Sequence, residues 1–136
     1  MLPYLVEAAK SFFPFGSGFG SFDSVYRAFE PVVLLNQSYM NQAHNDVLQL
    51  IIEGGLPGVI LLLAGLWWYG KRAIAHWRGT GVVSTTRMLG RLGSVLVALI
   101  LLSSFVDYPL RTPIMAVILA IAMLWMAQNP NRRQAT

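Results

Sequence analysis

The chain contains no cysteine, which excludes a disulfide framework and any thiolate metal site. Charge is scarce as well. Only 12% of the 136 residues are Asp, Glu, Lys or Arg, about half of the roughly 25% usual for soluble domains. Histidine occurs twice, at His44 and His76, and no Cys, His, Asp or Glu cluster has metal-ligand spacing, so no metal and no cofactor is expected. No G-x-S-x-G elbow is present, which removes a hydrolase of that type. The start, Met1-Leu2-Pro3-Tyr4-Leu5-Val6-Glu7, lacks the basic n-region and apolar core of a secretory signal.

What the sequence has in excess is apolar residues, at 55%, gathered into runs rather than interleaved with polar ones. The runs cover Leu56 to Tyr69, Leu92 to Val106 and Ile114 to Ala127. Each falls short of the roughly 20 residues that cross about 30 Å of hydrocarbon. Val47, Leu48, Leu50, Ile51 and Ile52 extend the first run upstream of Gly54-Gly55 and Pro57, and Arg91 and Arg111 are placed to snorkel from the others. Trp67, Trp68, Tyr69, Tyr108 and Trp125 lie near run ends, as in aromatic belts. The expected fold is an all-α integral membrane protein with three transmembrane helices, near 47–70, 90–107 and 111–127, plus an outer-face helix-and-loop segment over 1–45.

Basic residues orient these spans. Lys71, Arg72, Arg78, Arg87 and Arg91 fall between the first two runs with no acidic residue among them, and Arg132 and Arg133 follow the third. The excess of positive charge assigns 71–89 and the C-terminal tail to the cytoplasm. It also accounts for the net charge of +4 without nucleic acid as a partner. In the outer segment, Phe22, Val25, Tyr26 and Phe29 recur at i, i+3, i+4, i+7, the spacing of a short amphipathic helix, which Pro31 is expected to end. Phe12, Phe13, Phe15 and Phe19 are too many for a freely solvated loop, and the layer is expected at the outer membrane–water boundary.

Candidate chemistry lies in the same segment. Asn45 suits an N-cap and Asp46 the first turn of the helix that follows. His44 then sits at the positive helix end, where an uncharged imidazole is favoured and accepts a proton. Gly16-Ser17-Gly18-Phe19-Gly20 is a tight turn or a set of amides open to an anion, without the spacing of a Walker loop or a dinucleotide fingerprint. Arg27 has Asp23 four residues earlier, the spacing of a surface ion pair, with a diphosphate clamp as its rival role. Asp107 and Arg111 flank Tyr108-Pro109 in a short outer loop and read as a mutual ion pair. Glu53 caps backbone near the Gly-Gly break, and no specific role is expected of His76.

In order, Pro14-Phe15-Gly16-Ser17-Gly18-Phe19-Gly20-Ser21-Phe22, then Ala43-His44-Asn45-Asp46-Val47-Leu48-Gln49, then Glu53-Gly54-Gly55-Leu56-Pro57-Gly58 resemble the signature region of the bacterial O-antigen ligase and polymerase family. Asp107-Tyr108-Pro109-Leu110-Arg111-Thr112-Pro113 is similar to that family's next outer loop. The resemblance implies a metal-independent glycosyltransferase of the inner (plasma) membrane with a periplasmic active face. It implies an undecaprenyl diphosphate-linked glycan as donor, and a lipid A-core or other glycan as acceptor. The family's outer-loop histidine matches His44, the proposed base, and Asp107 is a possible orienting carboxylate. Arg27 and Arg111 are the candidates for the donor diphosphate, with Gly16 and Gly18. Family members usually have ten or more spans, so a C-terminal portion is expected. The alternative is a non-catalytic membrane remnant or interaction subunit of the same fold.

Overall fold

The computed structural model describes residues 2–29, 44–78 and 84–130. All regular structure among them is helical: α1 Leu2–Phe12, α2 Phe22–Phe29, α3 Asp46–Trp77, α4 Thr85–Ser103, a 3-10 turn Pro109–Arg111, and α5 Pro113–Ala127. Pro31, the central part of the basic loop and Arg132-Arg133 lie outside the described residues. The chain divides into two compact units, Met1–Leu63 with Ser104–Tyr108, and Ala64–Ser103 with Pro109–Thr136; their boundary falls within α3.

The first unit is built on α1 and α2. Leu5 and Ala8 on α1 meet Phe22, Val25 and Tyr26 on α2 and Ile52 on α3, all buried, with Phe12, Phe29 and Leu48 packed around them. The Phe22 and Tyr26 rings stack at 5.9 Å, and Phe12 meets Phe29 edge-on at 6.4 Å. The α2 periodicity is therefore realised residue for residue. The first helix, α1, was not anticipated, although Leu5, Ala8, Ala9 and Phe12 carry the same spacing.

Two helices, α3 and α4, are long and apolar enough to cross a membrane, and only a third of each apolar window is buried. A core helix of a water-soluble protein would be mostly covered. Here Ile60, Leu61, Leu63 and Trp67 on α3, and Val95, Leu99 and Leu102 on α4, are exposed. The bounds differ from those of the apolar runs. The basic residues Lys71 and Arg72 continue α3, and Arg87 lies on α4, so most of the expected 71–89 loop is helix. Charged residues end a hydropathy run without ending a helix, since Lys and Arg are good helix formers. The last helix, α5, is strongly apolar but has 15 residues, a rise of about 22 Å.

In the second unit α4 and α5 pack closely around Val97, Ala122 and Met126. Gly93 permits the approach: a Cβ there would press on the Ala122 carbonyl oxygen. The Tyr69 hydroxyl donates to the Ser94 carbonyl (3.1 Å) and the Trp77 indole N–H to Ser94 Oγ (2.9 Å). His76, for which no role was expected, is fully buried against Gly90, its Nε2 3.0 Å from the Met126 carbonyl.

Candidate functional site

The residues singled out in the outer segment lie in the first unit, around two features of α3: its N-terminus and a break one-third of the way along. Asn45 caps the helix, its side-chain oxygen accepting the Leu48 N–H at 2.9 Å, while its amide nitrogen donates to the Phe105 carbonyl at 3.0 Å. The Asp46 N–H donates to the Ser104 carbonyl (3.0 Å), and Ser104 Oγ returns a bond to Asp46 Oδ2 (3.0 Å). This ladder ties the start of α3 to the segment after α4. Asn45 and Asp46 thus serve helix initiation and the joining of two distant stretches.

The ladder brings His44 and Asp107 together. His44 Nδ1 lies 3.5 Å from Asp107 Oδ1, and its ring meets Tyr108 edge-on at 4.8 Å. Both side chains are more than half exposed. His44 has φ +49°, a left-handed conformation uncommon outside glycine and short polar residues. Strain of this kind is retained where the surroundings over-determine it, and it gathers at functional positions. The partner of Asp107 in the described ion pairs is thus His44, 63 positions away, where the sequence pointed to Arg111. Arg111 closes the 3-10 turn, in the other unit. Arg27 pairs with Asp23 at 3.1 Å on the exposed side of α2, the surface ion pair its spacing describes.

The break is at Gly55, where φ +55° and ψ −145° interrupt the helix. Pro57 has no N–H for the Glu53 carbonyl, and the Leu56 N–H turns away to the Pro14 carbonyl (2.7 Å). Two carbonyls are left over, and the glycine-rich loop supplies their donors. The Ser17 N–H bonds Ile52 O and the Gly18 N–H bonds Glu53 O, both at 2.9 Å. The Gly16 N–H donates to Phe12 O (2.8 Å). The amides of Gly16, Ser17 and Gly18 are therefore committed to backbone oxygens. Gly16 and Gly55 lie backbone to backbone, and a Cβ on either would collide with the other's neighbourhood. Glu53, 1% exposed, accepts the Phe22 N–H (3.3 Å) and the Gln49 side-chain N–H (3.1 Å) on Oε1. It caps α2 from another helix, a role hidden in the sequence because the two residues are 31 positions apart.

Chemically, a histidine flanked by a carboxylate at Nδ1 can hold its proton on that nitrogen and present a free lone pair at Nε2, the arrangement of an oriented general base. Comparison with protein-family profiles, curated proteins and solved structures finds no match for this chain.

Proposed function

We propose that the chain is a membrane glycosyltransferase module of the O-antigen ligase or polymerase type, working on the periplasmic face of the bacterial inner membrane. The observation that carries the proposal is the His44–Asp107 pair at 3.5 Å, assembled at the head of a helix long and apolar enough to span a bilayer. In this reading α3, α4 and the shorter α5 are the three spans, with the basic helix ends in the cytoplasm. Asp107 orients the imidazole, and His44 Nε2 takes the proton of an acceptor sugar hydroxyl. The hydroxyl oxygen attacks the anomeric carbon of the carrier-bound glycan. The bond from that carbon to the diphosphate breaks, and undecaprenyl diphosphate departs with the electron pair. Arg27, in the same unit as His44 and Asp107, is the cation assigned to the departing charge, after release from Asp23.

The second reading, a non-catalytic membrane subunit of the same fold, draws on the openness of the dyad and on Arg27 being engaged by Asp23. One experiment separates the two. In membranes carrying equal amounts of each variant of the intact transferase, His44→Ala lowers glycan transfer to acceptor by roughly a hundredfold or more. Transfer at the unsubstituted rate would exclude His44 as the base and favour the non-catalytic reading.

A further inference from the structure

Three phenylalanines in the glycine-rich loop have no counterpart in the chemistry above. Phe13, Phe15 and Phe19 are 54%, 86% and 73% exposed, although rings of this size are ordinarily the first side chains to be covered. The loop has little freedom to fold them away. Its backbone is bonded to α3 through Pro14 O, Ser17 N and Gly18 N, and the Phe19 ring lies over Gly54.

Those same bonds fix the place of the loop along α3. Pro14 O accepts the Leu56 N–H, and the Ser17 and Gly18 amides bond the carbonyls of Ile52 and Glu53, so the loop is held against the N-terminal part of a helix long and apolar enough to cross a membrane. Irregular backbone is tolerated beside such a helix because each of these groups is paired within the protein. Leu56, Ile60 and Leu61, farther along the same helix and in the same unit, are exposed as well.

We infer that the 13–19 loop is a membrane anchor, with Phe13, Phe15 and Phe19 sunk among the acyl chains of the adjoining lipid leaflet. It rests on α3 being a span and is independent of glycan transfer. The occupant is lipid rather than a protein partner, because the loop is bonded to a helix long and apolar enough to cross a membrane and the rings it exposes are apolar. The bonded loop makes the outer layer of α1 and α2 ride at a fixed height on the bilayer.

The absence of cysteine makes the test direct. Single spin labels are placed at Phe15→Cys, Phe19→Cys, Ser24→Cys and Ile60→Cys in the full chain in phospholipid nanodiscs. Collision with oxygen, which concentrates in lipid, is compared with collision with a water-soluble nickel chelate. Labels at 15, 19 and 60 are expected to favour oxygen several-fold, and the label at 24, on the polar side of α2, to favour nickel. Labels at 15 and 19 that favour nickel while 60 favours oxygen would overturn the anchor and leave the span intact. Labels at 15 and 19 that meet neither reagent would also overturn it, since protein would then cover the loop. A label at 60 that favours nickel would remove the span and the anchor together.

Discussion

Replacing Gly55 by alanine attacks the joint between the loop and α3 with a single methyl group. The residue adopts φ +55°, ψ −145°, a conformation open to glycine that costs other residues on the order of 1–3 kcal/mol. The new Cβ would also run into Gly16 N and Pro14 O, which are backbone atoms without a rotamer to escape into. The loop must withdraw, and the bonds Leu56 N–Pro14 O, Ser17 N–Ile52 O and Gly18 N–Glu53 O weaken together. At about 1 kcal/mol for each of the three lost bonds, the total with the conformational cost comes to roughly 4–6 kcal/mol, a large share of the ~5–15 kcal/mol by which folded proteins are typically stable. In detergent, the thermal midpoint followed by fluorescence size-exclusion should fall by about 10 °C or more. The control is Gly65→Ala. Gly65 has open space around its absent Cβ and an ordinary helical backbone, so alanine there should be neutral or stabilise by up to about 1 kcal/mol. Equal midpoints for the two variants would refute the argument that Gly55 is required by the joint.

Glu53→Gln should be tolerated, because it retains an oxygen for the Phe22 N–H. Glu53→Leu should cost about 1–3 kcal/mol by stranding that amide and the Gln49 side chain, as read by the same melting assay; equal stability of the two would contradict the capping role. Arg72→Met should destabilise by about 1–2 kcal/mol, since Arg72 donates to the Met126 and Gln128 carbonyls at the end of α5, while Arg72→Lys should fall between. Gly93→Leu should force α4 and α5 apart, detected as loss of a disulfide engineered between them. Reporter fusions at Gly79 and Ala135 should behave as cytoplasmic and one at Gln37 as periplasmic; a periplasmic signal at Gly79 would overturn the orientation.

Periodicity and capping were legible where the determinants are local. The α2 helix follows from Phe22, Val25, Tyr26 and Phe29, and the start of α3 from Asn45, because each signal spans only a few residues. The interruption at Gly54-Gly55 and Pro57 was visible too, but what it serves was not. Pairing the freed carbonyls with Ser17 and Gly18 joins segments 35 residues apart, and no periodicity records that. For the same reason the His44–Asp107 approach was anticipated on chemical grounds only, as one of several convergences a transferase would need. The helix ends at Trp77 and Thr85 lie beyond the apolar runs because hydropathy stops at charge, whereas Lys and Arg continue a helix; Arg91 donates to the His76 carbonyl (3.0 Å) near the end of α3. His76 gave no signal, since a buried histidine bonded to a carbonyl is indistinguishable in sequence from a solvated one.

The end of α5 bears on how such a chain fits its surroundings. On the three-span proposal, the rise of about 22 Å of α5 is mismatched to a bilayer of about 30 Å, and short spans are ordinarily accommodated by thinning the lipid around them. Here Arg72 and His76, reaching from the flank of α3, take up the carbonyls of Met126 and Gln128. The Met126 and Gln128 oxygens are then bonded by side chains of the same unit. On that proposal, a helix finished in this way can stop short of the headgroups without drawing them inward, and the lipid beside it would keep its ordinary thickness. Removal of Arg72 would leave the Gln128 carbonyl to water, and the membrane would thin toward it.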